Sequence, residues 1–429
     1  GYNGSENFAK GHRFGFFPAA SVGWNLAEEK FIKKHAPWIE MLKLRYSYGE
    51  VGNDKISDDV RFPYLSSFGD AGGYDFGDFN SSWQFGGYQY TQVASNNLAW
   101  EVAKKHNLGL DLSLWNGKFT LTVDVYQDTR EKIFMQRKFL PGMVGLWYNE
   151  ERKNAPWANV GKMRSKGIDG NFMFKHKVGE VDFTLRGNMT FTKNEVLEYD
   201  EEQQYYSYKM TQGYRWNQAR GLIALGLFKD YDDIRNSPKQ TFGEYMPGDI
   251  KYKDVNGDGV INEYDEVPIG ATTVPNMIYG VGLSAQWRGF DFNVHFQGAG
   301  KSSYMIKGPA VYAFSEGNWG NVLTDIAKPG NRWISSEISG DPATENPNAK
   351  YPRLSYGGNE NNQKASTYWL RDGAYLRFKT LEIGYTLPKQ FVNKLHIGDV
   401  RFYLLGNNLA VWDSLKLWDP EIGSDNGMA

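Results

Sequence analysis

The sequence of 429 residues contains no cysteine, which excludes disulfides, thiolate metal sites and a cysteine nucleophile. It also lacks any run of the roughly 18 apolar residues that a membrane-spanning helix needs, and its mean hydropathy is -0.58. Neither sign of charge dominates, because the net charge of -2 arises from interspersed acidic and basic residues. Such a balance gives no support for nucleic-acid binding.

Motifs of enzymatic chemistry are equally scarce. The six histidines have no H-x-x-x-H spacing, and the sequence contains neither a G-x-S-x-G elbow nor a glycine-rich phosphate loop. We therefore expect no catalytic residues and no enzymatic activity. The N-terminal segment also lacks a basic stretch followed by an apolar one, so either a signal peptide has been removed or the chain begins inside a longer protein. We expect the second, because the first predicted strand begins almost immediately.

Alternation of apolar and polar residues is the strongest pattern present. Residues 278–287 and 290–296 both alternate, and Arg288-Gly289 lies between them. A strand of about ten residues rises roughly 3.3 Å per residue, so when tilted near 40° it spans about 25 Å, the height of the apolar band of an outer-membrane barrel. In lipid all backbone polar groups must be paired, so such strands cross a membrane only within a closed barrel. The pattern therefore predicts an all-β fold, a transmembrane antiparallel β-barrel.

The same alternation recurs along the chain. Further predicted strands cover 14–24, 42–48, 108–114, 119–125, 168–175, 181–191, 375–387 and 400–406. Between the third and fourth of these, Asn116-Gly117 are the residues that a two-residue type I′ turn requires. In 375–387 the apolar residues change parity, which predicts a β-bulge or a strand start near Lys379-Thr380.

Tight turns alternate with long connections. The turns are at Asn116-Gly117, Gly179-Glu180 and Arg288-Gly289, and the long connections cover 127–167, 192–277 and 299–374. In outer-membrane barrels, short turns face the periplasm and long extracellular loops face outward. The aromatic content of 16%, with 27 Tyr and 14 Trp, fits either aromatic girdles at the membrane interfaces or sugar-stacking surfaces.

The sharpest chemical motif lies in one of the long connections. Residues 254–265 read DVNGDGVINEYD and match a calcium-loop pattern with a glycine at its turn. The predicted ligands, with Val260 acting through its carbonyl, are Asp254, Asn256, Asp258, Val260, Asn262 and Asp265. Asp265 stands where an EF-hand has the longer Glu, and no flanking helices are evident. We expect a structural Ca2+ site, and the alternative is a β-turn without metal.

Aromatic side chains in the long connections are candidates for stacking on sugar rings. This set consists of Trp147, Tyr148, Trp157, Tyr205, Tyr206, Tyr208, Trp216 and Trp319. The alternative is that these side chains pack the loops together or contact a partner protein. The arginines expected to line a polar lumen or to anchor at an interface are Arg164, Arg186, Arg288 and Arg401.

Six strings, in order, carry a family resemblance. They are NVGKMRSKGID at 159–169, GLIALGLF at 221–228, PGDIKYKDVNGDGVI at 247–261, GFDFNVHFQGAGK at 289–301, YWLRDGAYLRFKTLEIGYTLPK at 368–389 and RFYLLGNNLAVWD at 401–413. In these strings the chain resembles the SusC-like (SusC/RagA) TonB-dependent outer-membrane transporters. The similarity runs from FAKGHRFGFFPAASVGW to DPEIGSDNGMA, so it covers essentially the whole chain.

The resemblance implies a 22-stranded barrel with an N-terminal plug, coupled to TonB-ExbB-ExbD and capped outside by a SusD-like surface lipoprotein. It implies import of oligosaccharides or peptides across the Gram-negative outer membrane, and often a dimer of transporter-lipoprotein pairs. No plug, TonB box or closing strand is recognisable, so residues 1–429 are expected to be the C-terminal part of the barrel. The alternatives are a soluble all-β glycan-binding protein and an outer-membrane barrel hydrolase.

Overall fold

The computed structural model describes residues 1–57, 60–77, 83–137, 140–144, 155–309, 311–315, 322–393 and 398–421. The chain divides into two compact units. Unit 1 consists of Gly1–Phe174, Thr192–Gln203 and Met210–Arg215, and unit 2 consists of Lys175–Phe191, Gln204–Lys209 and Trp216–Ala429. Antiparallel strands are the main element of each unit, as the alternating sequence predicts.

Long paired strands follow one another in unit 1. Its elements are β1 (Tyr2–Gly4), β2 (Phe14–Phe16), β3 (Ala19–Asn25), α1 (Lys30–His35), β4 (Ile39–Asn53), β5 (Ser67–Phe76), β6 (Trp83–Gln92), β7 (Glu101–Leu114) and β8 (Phe119–Gln136). Strand β9 (Trp157–Val178) lies mostly in unit 1, and β10 (Val181–Glu198) contributes residues to both units. The pairing order in unit 1 is β9-β8-β7-β4-β3, always antiparallel, and β1-β2 and β5-β6 form separate pairs.

Apolar and polar side chains occupy alternate rows across these strands. In one row Val22 pairs with Tyr46, Tyr46 with Leu108 and Leu108 with Val125, and all four side chains are exposed. The neighbouring row contains Arg45 and other polar or small residues. A water-soluble sheet would bury the apolar row, so its exposure fits a surface that faces lipid.

Two predicted features near strand ends in unit 1 are wrong. The segment 14–24 is split into β2 and β3, because Pro18 has no N–H to donate and Phe17 turns into a hydrophobic cluster. The Asn116-Gly117 turn is a four-residue loop, since Leu114 pairs directly with Phe119. Trp115, Asn116 and Gly117 all have positive φ there, so the residues of a tight turn are present within a longer loop.

Strands β8 and β9 extend far beyond their alternating segments. Their pairing continues to Gln136 opposite Trp157, so residues 137–156 connect them rather than 127–167. Beyond Val125 most residues are polar, so the sequence shows no further alternation there. The backbone pairing nevertheless continues. A small core cluster lies at this end of unit 1, and it is formed by Phe8, Phe17, Leu98, Trp100 and Phe134.

Unit 2 combines long strands with many short elements. Its strands are β11 (Arg220–Gly221), β12 (Ala224–Leu227), β13 (Lys239–Gln240), β14 (Ile250–Tyr252), β15 (Val260–Ile261), β16 (Val267–Pro268), β17 (Met277–Trp287), β18 (Phe290–Gly300), β19 (Ser303–Met305), β20 (Leu370–Asp372), β21 (Tyr375–Thr386) and β22 (Arg401–Asp413). Its helices are α2 (Tyr231–Arg235), α3 (Thr324–Ala327), α4 (Ser336–Ser339) and α5 (Lys389–Val392). Across the described ranges, no helix has the length and apolar character to cross a membrane.

The long strands of unit 2 confirm the alternating pattern closely. They pair in the order β22-β21-β18-β17-β10, always antiparallel. Trp287 pairs with Phe290, and Arg288 and Gly289 both have positive φ, as a type I′ turn requires. The predicted bulge is also confirmed, because the register of β21 skips Lys379 against both of its neighbours.

The connections before β17 and β21 share a hydrophobic core with Leu415, which follows β22. The pairs β11-β16, β12-β14 and β19-β20 are antiparallel, and β13-β15 is parallel. Thirteen buried residues form the core, and they are Leu222, Leu227, Ile250, Tyr252, Ile261, Ile306, Val311, Ile326, Trp333, Ala349, Tyr351, Trp369 and Leu415. The long connections predicted at 192–277 and 299–374 are present between β10 and β17 and between β18 and β21. Their short paired strands and their core were not predicted from the sequence.

Gly289→Ala should destabilise the β17-β18 hairpin. Gly289 has a φ of +88°, and an added Cβ would lie 2.7 Å from the carbonyl oxygen of Thr386. The matched control is Gly179→Ala, because Gly179 has a φ of +60° but no atom within 4 Å of an added Cβ. We expect Gly289→Ala to lower the free energy of unfolding by about 1 kcal/mol more than the control. Urea unfolding in detergent micelles measures both, and equal losses would contradict the predicted clash.

Candidate functional site

The polar face of the unit 1 strands is held together by ion pairs. Arg45 Nε donates to Asp111 Oδ2 at 3.0 Å, and Arg45 Nη2 donates to Asp124 Oδ2 at 2.7 Å. Gly109 stands between these side chains, and a Cβ there would lie 2.4 Å from Arg45 Cζ. The missing side chain therefore makes room for a guanidinium shared between two carboxylates.

Further ion pairs follow the same strands towards the ends opposite the 115–118 loop. Lys104 Nζ and Lys162 Nζ lie 2.6 and 3.1 Å from the two carboxylate oxygens of Glu131. Arg164 Nη2 donates to Glu195 Oε2 at 2.6 Å. These cations already have carboxylate partners. The polar face of the strands is therefore stabilised by ion pairs and presents no free reactive group at these positions.

In unit 2 the predicted arginines also lie in polar contacts. Arg186 Nη2 donates to Asn293 Oδ1 at 3.1 Å, and Arg401 Nη2 donates to Glu382 Oε1 at 2.5 Å. Arg288 lies at the β17-β18 turn, where its Nε is 2.5 Å from Glu180 Oε2. Its exposed position beside the Trp287 ring fits an anchor at a membrane interface.

Residues 254–265 form a compact turn in which carboxylates accept bonds from the backbone. Asp254 accepts from the amides of Gly257 and Gly259 at 2.7 and 2.8 Å, and Asp258 accepts from the amide of Val260 at 2.8 Å. Both glycines have positive φ, which the tight reversal requires. The predicted glycine turn is therefore present.

Asp265 closes the turn from inside. It is fully buried and accepts from the amides of Val255 and Asn262 at 2.8 and 2.9 Å. Asn256 Nδ2 donates to Asp258 Oδ2 at 3.0 Å. Within the described part of the chain, no three His, Asp or Glu side chains are grouped so as to hold a metal ion. The six predicted ligands thus share one turn, and calcium binding there stays a prediction.

Four tyrosines, which we call the tyrosine cluster, pack together on this turn: Tyr205, Tyr206, Tyr208 and Tyr264. The rings of Tyr206 and Tyr208 are stacked with centroids 5.1 Å apart, and Tyr205 meets Tyr206 edge-on at 4.8 Å. Tyr208 Oη donates to the carbonyl of Tyr264 at 2.8 Å. Burial, followed by nearby Tyr206 and Asp265, raises the pKa of Tyr208, so its phenol stays protonated and able to donate.

The predicted aromatic residues have different surroundings. Trp157 packs against the unit 1 core cluster, which favours a structural role. Trp216 is exposed, and Tyr205 is 90% exposed, so Tyr205 offers an open ring face for stacking. Trp147, Tyr148 and Trp319 lie outside the described residues.

The sequence interpretation missed an aromatic hairpin formed by β5 and β6. Phe68, Phe76, Tyr88 and Tyr90 are exposed on it, and the rings of Phe68 and Tyr90 are 4.4 Å apart. The signal was present in the composition, because residues 62–103 contain no Lys, Arg or His. The hairpin therefore presents aromatic rings with only acidic charge.

A buried carboxylate that the sequence interpretation also missed holds the unit 2 core together. Asp249 is fully buried, and its Oδ2 accepts from Arg353 Nη2 at 2.9 Å. Asn362 and Asn359 donate to Oδ1 at 2.8 and 3.2 Å. These bonds join the β14 segment to residues more than a hundred positions away, and they support the strand that leads into the 254–265 turn.

A family model described as TonB dependent receptor-like, beta-barrel, matches residues 1–409. This chain belongs to that family. Membership confirms the predicted barrel fold class and the outer-membrane location. It also places the chain in a receptor family rather than an enzyme family. The similarity to SusC, given below, confirms the resemblance to SusC-like proteins.

Several relatives support the family assignment. TonB-dependent receptor P3 of Formosa agariphila is 28% identical over 439 residues, which cover 99% of this chain and 40% of the relative. TonB-dependent receptor SusC of Bacteroides thetaiotaomicron is 26% identical over 436 residues, which cover 99% of this chain and 39% of SusC. The solved RagAB peptide importer in its closed-closed state has the same fold, with a TM-score of 0.71, 19% identity, and coverage of 98% of this chain and 42% of that one. The chain therefore spans about two fifths of the length of the curated relatives it matches.

Asp249→Asn should loosen the unit 2 core. The change leaves the partly buried Arg353 without its carboxylate, so we expect the free energy of unfolding to fall by about 3 kcal/mol. The control is Asp232→Asn, because the Asp232-Arg235 pair is exposed and exposed pairs contribute little. Limited proteolysis and urea unfolding in detergent micelles measure both variants. If Asp249→Asn behaves like the control, the ion pair does not hold the core.

Proposed function

We propose that this chain supplies barrel wall and outer loops of a TonB-dependent importer of oligosaccharides or peptides across the Gram-negative outer membrane. The observation that carries the proposal is that the same strands have an exposed apolar row on one face and ion-paired polar side chains on the other. An apolar outer face suits lipid, and a polar inner face suits the lumen of a large barrel. The similarity to the RagAB peptide importer supports peptides as substrates, and the resemblance to SusC-like transporters supports oligosaccharides as the other class.

A SusD-like surface lipoprotein is the proposed outer partner. The β5-β6 hairpin supports this, because a two-stranded sheet is marginal alone in water and aromatic residues are enriched at protein interfaces. Its acidic residues, Asp70 and Asp75, suit a partner surface with basic side chains. The resemblance also supports a dimer of transporter-lipoprotein pairs.

Energy coupling is assigned to parts of the full-length protein outside this sequence. The relatives are more than twice as long as the matched region, which leaves room for a plug that contacts TonB-ExbB-ExbD. In this proposal residues 1–429 contribute C-terminal barrel strands and their outer loops. The tyrosine cluster and the 254–265 turn then belong to the outer surface, where substrate and partner arrive.

We also propose that the 254–265 turn binds a structural Ca2+. Calcium prefers oxygen ligands from short Asp- and Asn-rich loops, and an ionised carboxylate keeps lone pairs beyond one backbone bond. Within the described residues, Asp254, Asp258 and Asp265 form no salt bridge, and the nearby Lys209 lies 3.5 Å from Glu266 instead. A bound cation would neutralise the negative charge of these three carboxylates. It would also fix the conformation of the turn on which the tyrosine cluster packs.

Uptake by cells tests the import proposal. Cells that express the full-length protein receive linear glucose oligosaccharides and synthetic tetrapeptides, and mass spectrometry follows their loss from the medium. We expect one class to disappear only when TonB is present, because import needs its energy. Glucose, which is small enough for porins, should disappear equally in both strains. Loss without TonB, loss of neither class, or hydrolysis by the purified protein would overturn the proposal.

Chelation tests the calcium proposal. We expect about 1 mM Ca2+ to protect the 254–265 turn from proteolysis relative to chelator, as in extracellular calcium modules. The double change Asp254→Asn and Asp258→Asn should abolish this protection, since amide oxygens carry no charge. Asp232→Asn, an exposed carboxylate outside the turn, should retain it. Equal cleavage with Ca2+ and with chelator would show that the turn is stable without metal.

A further inference from the structure

We propose that a cleft in unit 2 is a subsite for short peptides, an inference that rests on the proposed importer function. The cleft has a volume of 540 Å³, within the range of about 300–1,000 Å³ that small-ligand sites occupy. It is lined by residues 229–231, 246–247, 332–338 and 353–354, together with Glu345. It lies apart from the 254–265 turn in sequence, and no residue of the tyrosine cluster lines it.

Apolar side chains at the rim of the cleft are open to solvent. Ile338, on the short helix α4, is 82% exposed, and Tyr231 and Met246 are exposed as well. Trp333 and Leu354 continue the apolar lining inward. Single exposed apolar residues are ordinary, but three around one cleft with an apolar interior form a pocket for an apolar side chain.

The floor of the cleft is part of the unit 2 core. Trp333 is buried and belongs to the thirteen-residue core, so the apolar side of the cleft is held in place by that core.

Two opposite charges at the cleft have no partner in the described chain. Arg332 donates to the carbonyl of Ile326 at 3.0 Å, and Glu345 accepts from the amide of Ser336 at 2.6 Å, so both are engaged. Lys229 and Glu337 form no ion pair or side-chain hydrogen bond, and they lie on different segments of the lining. A short peptide with free termini carries one carboxylate and one ammonium, which match these two charges.

Sugar rings match this lining less well. Neutral oligosaccharides carry no charge to pair with Lys229 or Glu337. The combination of an apolar pocket and two opposite charges therefore favours a peptide.

Calorimetry with the intact transporter in detergent tests this subsite. The probe is the tetrapeptide Gly-Phe-Leu-Gly with free termini, and its capped form lacks both terminal charges. We expect Ile338→Asp to weaken binding of the free peptide at least about tenfold, because a charge replaces an apolar contact. Lys229→Gln and Glu337→Gln should each weaken it about threefold or more, and should leave binding of the capped form unchanged.

The control variant is Val274→Asp, because Val274 is an exposed apolar residue of unit 2 outside the cleft. It should bind the free peptide as the unchanged protein does. Maltotetraose should neither bind at the cleft nor compete with the peptide. The proposal is overturned if the peptide does not bind, if Ile338→Asp leaves its affinity unchanged, or if maltotetraose displaces it.

Failure of the subsite and failure of import give different results. If Ile338→Asp leaves peptide affinity unchanged while TonB-dependent uptake persists, the cleft is rejected and the importer stands. If the peptide binds with the expected dependence on Ile338 while uptake is independent of TonB, the subsite stands and the importer is rejected.

Discussion

Backbone hydrogen bonds between neighbouring strands are the interaction on which both units depend. Lipid offers no substitute for a missing bond, so pairing must continue along the whole length of each strand. Strands β8 and β9 stay paired to Gln136 and Trp157, well beyond their apolar residues. The bulge at Lys379 keeps β21 paired on both sides despite its change of parity. With the backbone satisfied in this way, side chains are free to divide into an apolar row and an ion-paired row.

The long connections of unit 2 are stabilised in a different way, by a hydrophobic core. Loops of this length cannot be stabilised by the strands that they join, because backbone ordering costs about 1–2 kcal/mol per residue. Burial of thirteen core residues offsets that cost, and the Asp249-Arg353 pair connects distant segments within the core. On this framework lie the 254–265 turn with its tyrosine cluster, and separately the cleft around Trp333. In the importer that we propose, this rigid framework would present the surfaces on which ligands and partners are met.

The alternation of apolar and polar residues correctly predicted the strands and turns that depend only on residues close together in the chain. The hairpin of 278–287 and 290–296 lies where the sequence places it, and so does the irregularity near Lys379. Strand ends were predicted poorly, because the polar ends of strands such as β8 and β9 stay paired although their residues do not alternate between apolar and polar. Asn116-Gly117 gave the correct backbone preference but not the loop length, which the pairing of Leu114 with Phe119 fixes.

The sequence by itself determined the barrel class, the strand faces, the glycine-containing turn at 254–265 and the family, because these follow from residues close together in the chain. Tertiary structure alone decided what those residues meet. Tyr208 reaches Tyr264 across 56 positions, and Arg353 reaches Asp249 across 104. No local pattern encodes such pairs, since their side chains come together only when the connections fold around a common core. The cleft that we assign to peptides arises in the same way, from segments that the sequence keeps apart.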